Sequence, residues 1–171
     1  CHMAEDIWQN IPYKLSEDSV FKKGWPSSSE IWKDDSLSIH ITRLRDLRTT
    51  VNRALEECRN KNDIGAALQA SIRLDCKFPE LQESIDWLNV NGDPEVDSLR
   101  DWFLVSNLQL GGEPWAETLC IKEDENIIIE VAKARGQKCQ RCWHYKLDII
   151  KSRNHDCICS RCVDILNRLS E

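Results

Sequence analysis

Two Cys-x2-Cys pairs, Cys139-Gln140-Arg141-Cys142 and Cys159-Ser160-Arg161-Cys162, stand 16 residues apart in the last part of the chain. Two short turns of this kind can bring four sulfurs around one tetrahedral ion at about 2.3 Å, the arrangement of a structural Zn²⁺ site. A segment this short has little core of its own, so the metal decides whether it folds. Five of the nine cysteines lie here, and no secretory leader accompanies them, which favours metal over disulfides. Cys157 could replace Cys159 as a ligand. Cys159 is preferred because it precedes Cys162 by three residues, as Cys139 precedes Cys142. His144 and His155 are further candidate ligands, but four thiolates already complete the set. A closed four-sulfur site leaves no position for water or substrate, so the zinc, one per chain, is structural.

The charge pattern follows from this. The 171-residue chain carries a formal −6, which disfavours binding nucleic acid by bulk electrostatics. Residues 136–171 hold seven Lys or Arg (Lys138, Arg141, Lys146, Lys151, Arg153, Arg161, Arg168) against four acids (Asp148, Asp156, Asp164, Glu171). That is +3, leaving −9 for the rest; zinc with four thiolates brings the tail to about +1. Lys138, Arg141 and Arg161 can therefore balance the cluster instead of meeting a polyanion. Between the pairs, Trp143-His144-Tyr145 could stack on unpaired bases. For Trp143 a hydrophobic lid over the metal is the favoured reading; His144 and Tyr145 stay open.

Upstream the periodicity predicts an α+β chain. Ala4 to about Gln9 is helical, stopped before Pro12, and Gly24-Trp25-Pro26 with Ser27–Ser29 breaks the chain. A helix so close to Cys1-His2-Met3, which reads as a cloning remnant, implies a longer parent chain. The longest periodic segment runs from about Ser36 to Lys61, with Leu37, Ile41, Leu44, Val51, Leu55 and Cys58 on one face. Arg45, Arg48, Asn52 and Arg59 share a flank of that face, either as a solvated edge or as a strip that meets phosphates. Ala70–Cys76 alternates as a strand, Pro79–Leu88 is helical, and a turn at Asn91-Gly92-Asp93-Pro94 closes it. Trp102–Leu108, Ala116–Ile121 and Asn126–Ala134 read as strands, the last two joined by a hairpin at Lys122–Glu125. A short helix from about Arg161 to Leu169 ends the tail. The expected parts are 1–3 (remnant), 4–68 (helical, truncated at its start), 69–135 (small α/β module) and 136–171 (four-cysteine domain resembling a zinc ribbon). No apolar run approaches the roughly 20 residues of a membrane helix. P-loop, Gly-x-Ser-x-Gly, His-Glu-x-x-His and dinucleotide-binding glycine patterns are missing, so no catalytic residue is assigned.

Lys138-Cys139-Gln140-Arg141-Cys142-Trp143-His144-Tyr145 with Cys159-Ser160-Arg161-Cys162 resembles the C-terminal zinc segment of bacterial-type isoleucyl-tRNA synthetases. Leu44-Arg45-Asp46-Leu47, Val51 to Glu56 and Lys61 to Ala70 resemble that family's anticodon-binding helix and following turn, and Ala4 to Trp8 the helix before it. The likeness runs in order over nearly the whole chain, with Cys157 as a departure. It implies the tRNA-recognition piece of a class I enzyme that joins isoleucine to tRNA(Ile) with ATP. Its catalytic signatures, His-Ile-Gly-His and Lys-Met-Ser-Lys-Ser, and its editing domain would lie in the remainder of the synthetase, the second expected partner. ATP would bind there only. Arg45, Arg48, Asn52, Arg59 and Tyr145 become the expected tRNA contacts, in a cytoplasmic (or organellar) monomer. Two alternatives stand beside it. One is a freestanding zinc-stabilised RNA-binding or protein-interaction module. The other is a formamidopyrimidine-DNA glycosylase, whose finger has the same spacing but whose N-terminal proline has no counterpart before Pro12.

Overall fold

The computed structural model describes residues 2–93, 98–150 and 157–169. Cys1, Pro94, Lys151, Arg153, His155, Asp156 and Glu171 lie outside the described residues. The chain divides into two compact units, Cys1–Asp35 and Ser36–Glu171.

The first unit holds α1 (His2–Gln9), α2 (Val20–Lys23) and a single 3₁₀ turn, Glu30–Trp32. Neither α1 nor α2 buries a residue. Polar ties hold the unit instead. The Glu5 carboxylate accepts from Ser19 Oγ at 2.9 Å and from the Val20 N–H at 3.1 Å, and Trp8 Nε1 donates to the Glu17 carbonyl at 3.1 Å. Ile7, Tyr13, Phe21, Trp25, Ile31 and Trp32 are exposed.

From Ser36 the second unit contains all but the first residue of α3, Asp35–Asn60, whose buried stripe is His40, Leu44, Leu47, Val51, Ala54, Leu55 and Cys58. Spacings of three and four put these side chains on one face. Leu37 departs from its expected core position: it is exposed, because the stripe meets its partners only from His40 onward. There His40 stacks on Trp87 (5.1 Å between ring centroids), and Arg43 donates to the Glu80 carbonyl at 3.0 Å. Both partners belong to α4, Pro79–Asn91, which starts on the helix-compatible Pro79.

The stripe also faces a sheet of β1 (Ala70–Cys76), β2 (Asn107–Leu110), β3 (Cys120–Glu123) and β4 (Ile127–Lys133) in the order β2-β1-β4-β3. β1 and β2 run parallel; β1–β4 and β3–β4 are antiparallel. Ala70, Ile72, Leu74, Ile129, Val131 and Cys120 join α3, Leu81, Ile85 and Leu88 of α4, and Leu99 and Phe103 in one core. The expected strand over Trp102–Leu108 is corrected here. Leu99–Phe103 is helix α5, Leu104 turns left-handed (φ 56°), and β2 starts only at Asn107. The apolar run Trp102–Val105 has no period, so length alone could not separate one helical turn from a strand. The strand expected at Ala116–Ile121 likewise forms at Cys120–Glu123; it does pair with β4 as a hairpin, but the turn expected at Lys122–Glu125 starts only after Glu123, because Lys122 and Glu123 pair with Ile129 and Ile128. Asp124 makes that turn by accepting from the Asn126 and Ile127 N–H groups, both at 2.9 Å.

On the sheet's other face Arg73 and Glu130 are opposite each other in register and both buried. Arg73 Nη2 donates to Glu130 Oε1 at 2.7 Å and Nη1 to the Gly112 carbonyl at 3.1 Å; the Trp115 N–H donates to Glu130 Oε2 at 2.9 Å. The loop after β2 is thus the cover of this ion pair. Among the described residues no helix is long and apolar enough to cross a membrane.

Candidate metal centre and the arginine flank

The chain enters its last module through Gly136, whose φ is 95° and whose added Cβ would overlap the Lys146 carbonyl. Only glycine suits this position. Two short antiparallel strand pairs follow. β5 (Gln137–Lys138) pairs with β6 (Tyr145–Lys146), and β7 (Ile149–Ile150) with β8 (Ile158–Cys159). Helix α6, Ser160–Leu169, closes the module. The Asp148 carboxylate accepts from the Ser160 hydroxyl and from its N–H at 3.4 Å, fixing the start of α6.

These turns bring Cys139, Cys142, Cys159 and Cys162 together, with all four Sγ atoms within 4.8 Å of one another. Sγ–Sγ separations of 3.8 Å, for Cys139–Cys162 and Cys142–Cys159, are those of ligands around one four-coordinate ion at about 2.3 Å. Tight knuckle hydrogen bonds preorganise them: the Cys139 N–H donates to the His144 carbonyl and the Trp143 N–H to the Cys139 carbonyl, both at 2.9 Å. Burial opposes charge on Cys139, yet N–H groups of Cys142, Cys159 and Arg141 donate to its sulfur and bring the thiol down to about 6. The Cys159 donor sits at 3.3 Å. Burial pushes Cys142 up to about 12 and Cys159 upward as well. One sulfur is therefore prepared as a thiolate by the backbone, and a cation would draw the remaining protons off. The donor set, its depth and its geometry fit a structural metal.

His144 stands outside the cluster, its Nδ1 3.1 Å from the Cys142 carbonyl oxygen and its Nε2 3.7 Å from Asp101. Cys157 is left-handed (φ 53°), and its carbonyl, not its sulfur, is used, accepting from the Gln140 N–H at 3.0 Å. Arg141 reaches the cluster, Nη1 lying 3.8 Å from Cys162 Sγ, which agrees with a charge-balancing role. Trp143 is not a lid. It is 59% exposed at φ 65°, with the Lys138 ammonium 5.1 Å from its ring centroid. The left-handed knuckle turns the indole outward, away from the sulfurs.

Tyr145 and the arginine flank occupy separate elements. On α3, Arg45, Arg48, Asn52 and Arg59 fall within about 60° of one another, beside the buried stripe. Arg45 and Asn52 are exposed, Arg48 and Arg59 half-buried. Arg59 is engaged by Glu56. Among the described residues no hydrogen bond or ion pair takes up the guanidinium of Arg45 or Arg48. Tyr145 is half-buried and fastens the metal module to the sheet: its N–H donates to Ser106 Oγ at 2.7 Å, and that hydroxyl donates to the Leu68 carbonyl. Its phenol oxygen lies 3.5 Å from Gln69 Nε2. It lines an 860 Å³ groove with Ser71, Asn107, Gln109, Trp115 and Lys146. Sequence reasoning missed Ser106, Gln69 and the Arg73–Glu130–Trp115 set. Only the alternation Ser71-Arg73-Asp75 hinted that this face of the sheet is polar.

The comparisons with known proteins agree with this arrangement. Residues 1–74 match the anticodon-binding domain of tRNA ligase, and residues 136–165 the zinc finger found in FPG and IleRS. A chain carrying both is the anticodon-binding and metal-binding region of a tRNA ligase. It is 57% identical over 168 residues to isoleucine–tRNA ligase of Parasynechococcus marenigrum, covering 98% of this chain and 17% of that protein. Identity to the isoleucine–tRNA ligase of Prochlorococcus marinus MIT 9313 is 55% over 166 residues (97% and 17%), and to that of Synechococcus sp. CC9311 56% over 168 residues (98% and 17%). The chain belongs to the isoleucine–tRNA ligases, whose C-terminal region it matches. It spans about a sixth of the length of these relatives.

Proposed function

We propose that the chain is the tRNA(Ile)-recognition part of an enzyme that ligates isoleucine to tRNA using ATP, and that it performs no chemistry by itself. The observation that carries this reading is the pair Arg45 and Arg48, lacking partners among the described residues and lying within the segment matched as anticodon-binding. An anticodon loop offers closely spaced phosphates and bases that unstack readily, which suit guanidinium forks and the Asn52 amide. Arg59 extends the strip and Tyr145 supplies an aromatic edge beside the groove. Residues 4–68 would contact RNA, 69–135 would hold the two ends together, and 136–171 would be held by the metal. The metal is zinc, bound by Cys139, Cys142, Cys159 and Cys162, since four thiolates at this spacing select it over harder cations. The remainder of the ligase supplies the ATP and isoleucine sites, in a monomeric cytoplasmic enzyme.

The test is a fluorescence titration with an isoleucine anticodon stem-loop and an unrelated stem-loop at two salt concentrations. Binding is expected to be weak, because −6 opposes RNA, and to fall with salt. Arg45→Ala and Arg48→Ala each lower the log–log salt slope by somewhat under one unit, whereas Arg168→Ala in α6 leaves it unchanged. Unchanged affinity in both α3 variants would make the strip a solvated edge.

A further inference from the structure

We infer that Cys58 of α3 and Cys120 of β3 are a peroxide-oxidisable pair that forms an internal disulfide, stapling the long helix to the edge of the sheet. The inference is independent of the tRNA reading. Cys58 is the last buried residue of the α3 stripe, and Cys120 is the one buried residue of β3, an outer strand paired only with β4. Their sulfurs are 2.9 Å apart, against about 2.05 Å in a disulfide bond, so a sub-ångström approach separates contact from a covalent link. Cys58 Sγ–H donates to Cys120, and Cys120 Sγ in turn lies 3.3 Å from the Ala54 carbonyl. The two elements are already held in this alignment by the exposed Lys122–Glu57 pair, 3.1 Å across. Cys139, Cys142, Cys159 and Cys162 cluster with one another, and Cys76 Sγ is 3.6 Å from the Phe78 carbonyl oxygen.

The two thiols are not equivalent. Cys58 is fully buried, and burial together with the neighbouring Cys120 sulfur pushes its thiol up to about 12, so it is a poor first nucleophile. Cys120 is 8% exposed and lies on an edge strand, so it is the sulfur of the pair that an oxidant meets first. A water-sized oxidant, hydrogen peroxide, can reach it when β3 frays. The Cys120 thiolate attacks one peroxide oxygen, the O–O bond breaks, and the departing hydroxide takes up the proton that Cys120 had released, leaving a sulfenic acid and water. Cys58 sulfur then attacks Cys120 sulfur, the S–O bond breaks, and the hydroxyl leaves with the Cys58 proton as a second water. Two thiols lose two electrons to one peroxide; the products are one disulfide and two waters.

The experiment treats the metal-loaded protein with one equivalent of hydrogen peroxide, blocks free thiols with N-ethylmaleimide in denaturant, and maps non-reduced peptides by mass spectrometry. The expected result is a Cys58–Cys120 cross-linked peptide that disappears with reductant, and a melting temperature raised on the order of 10 °C in the oxidised protein. Cys58→Ser and Cys120→Ser, each checked for an unchanged circular dichroism spectrum, lose both the peptide and the shift. Mapping of the unsubstituted protein decides the matter even if a variant fails to fold. Recovery of both cysteines as maleimide adducts, or oxidation confined to the tail cysteines, overturns the inference.

Discussion

The α3–sheet body and the tail solve the same problem with different materials. Among the described residues, nineteen buried hydrophobic ones, from Leu44 to Val131, form the body's core, and seven further ones pack against it. The tail's core has four described residues, Cys139, Ile158, Cys159 and Cys162, and three of these are thiols. At about 25 cal/mol per Å² of apolar surface, the first set stabilises a fold by burial alone and the second does not. The tail's cysteines therefore make up most of its core and also form a cluster that fits a metal. Without an ion the module is left with clustered sulfurs and Ile158, not a hydrophobic nucleus.

The comparison can be broken at several depths, starting with the ion. Chelation by EDTA or a stronger zinc ligand should unfold residues 136–169 while the body keeps its amide protection. Apparent binding energies of structural zinc in small fingers run to about 10–16 kcal/mol, far above what four buried residues supply. Hydrogen exchange resolved by peptide would show it, and simultaneous loss of protection in β1 and β4 would mean that the two regions share one fate.

Inside the body, the sharpest single change is Glu130→Ala, which strands the buried Arg73 guanidinium. The expected loss is roughly 3–5 kcal/mol, with Glu130→Gln milder. The sign of the pH dependence is fixed by the pair. The Arg73 hydrogen bond, the largest influence, holds the Glu130 carboxyl below its ordinary value. Its stabilisation is therefore complete above the unfolded carboxylate range and is lost as pH falls through the folded value. Urea titrations at neutral and acidic pH should converge for Glu130→Gln and the parent protein.

Phe103→Ala, in the same core but lacking charge, should cost about 3–5 kcal/mol at the lower end and show no such pH dependence. Gly136→Ala forces a left-handed backbone against Lys146, at roughly 1–3 kcal/mol, and should weaken metal affinity in a competition titration without moving the body's melting. Arg48→Ala removes a guanidinium that no described residue takes up and should stay within about 0.5 kcal/mol of the parent in urea. A larger loss would make Arg48 part of the body's packing.

The regions differ as much in how they could be read. Helix α3 and strand β1 were legible because periods of 3.6 and 2 persist over many residues, and the four sulfurs because their spacing has almost no other use. The family likeness followed from the same runs. Short elements were not legible. Trp102-Phe103-Leu104-Val105 carries no period; the helix that ends at Phe103 is closed by the Ser98 carbonyl, which accepts from the Asp101 and Trp102 N–H groups at 2.8 and 3.0 Å.

Partnerships across long separations were decided by the tertiary structure alone. Arg73 and Glu130 are 57 positions apart, Cys58 and Cys120 62, Ser106 and Tyr145 39. Sequence carries which side of an element is apolar, because side-chain period and burial share one local geometry. It does not carry which polar atom meets which, because that depends on strand order and register. Trp143 is the plainest case: it directly follows Cys142 of the sulfur cluster, and one left-handed φ turns its ring to solvent.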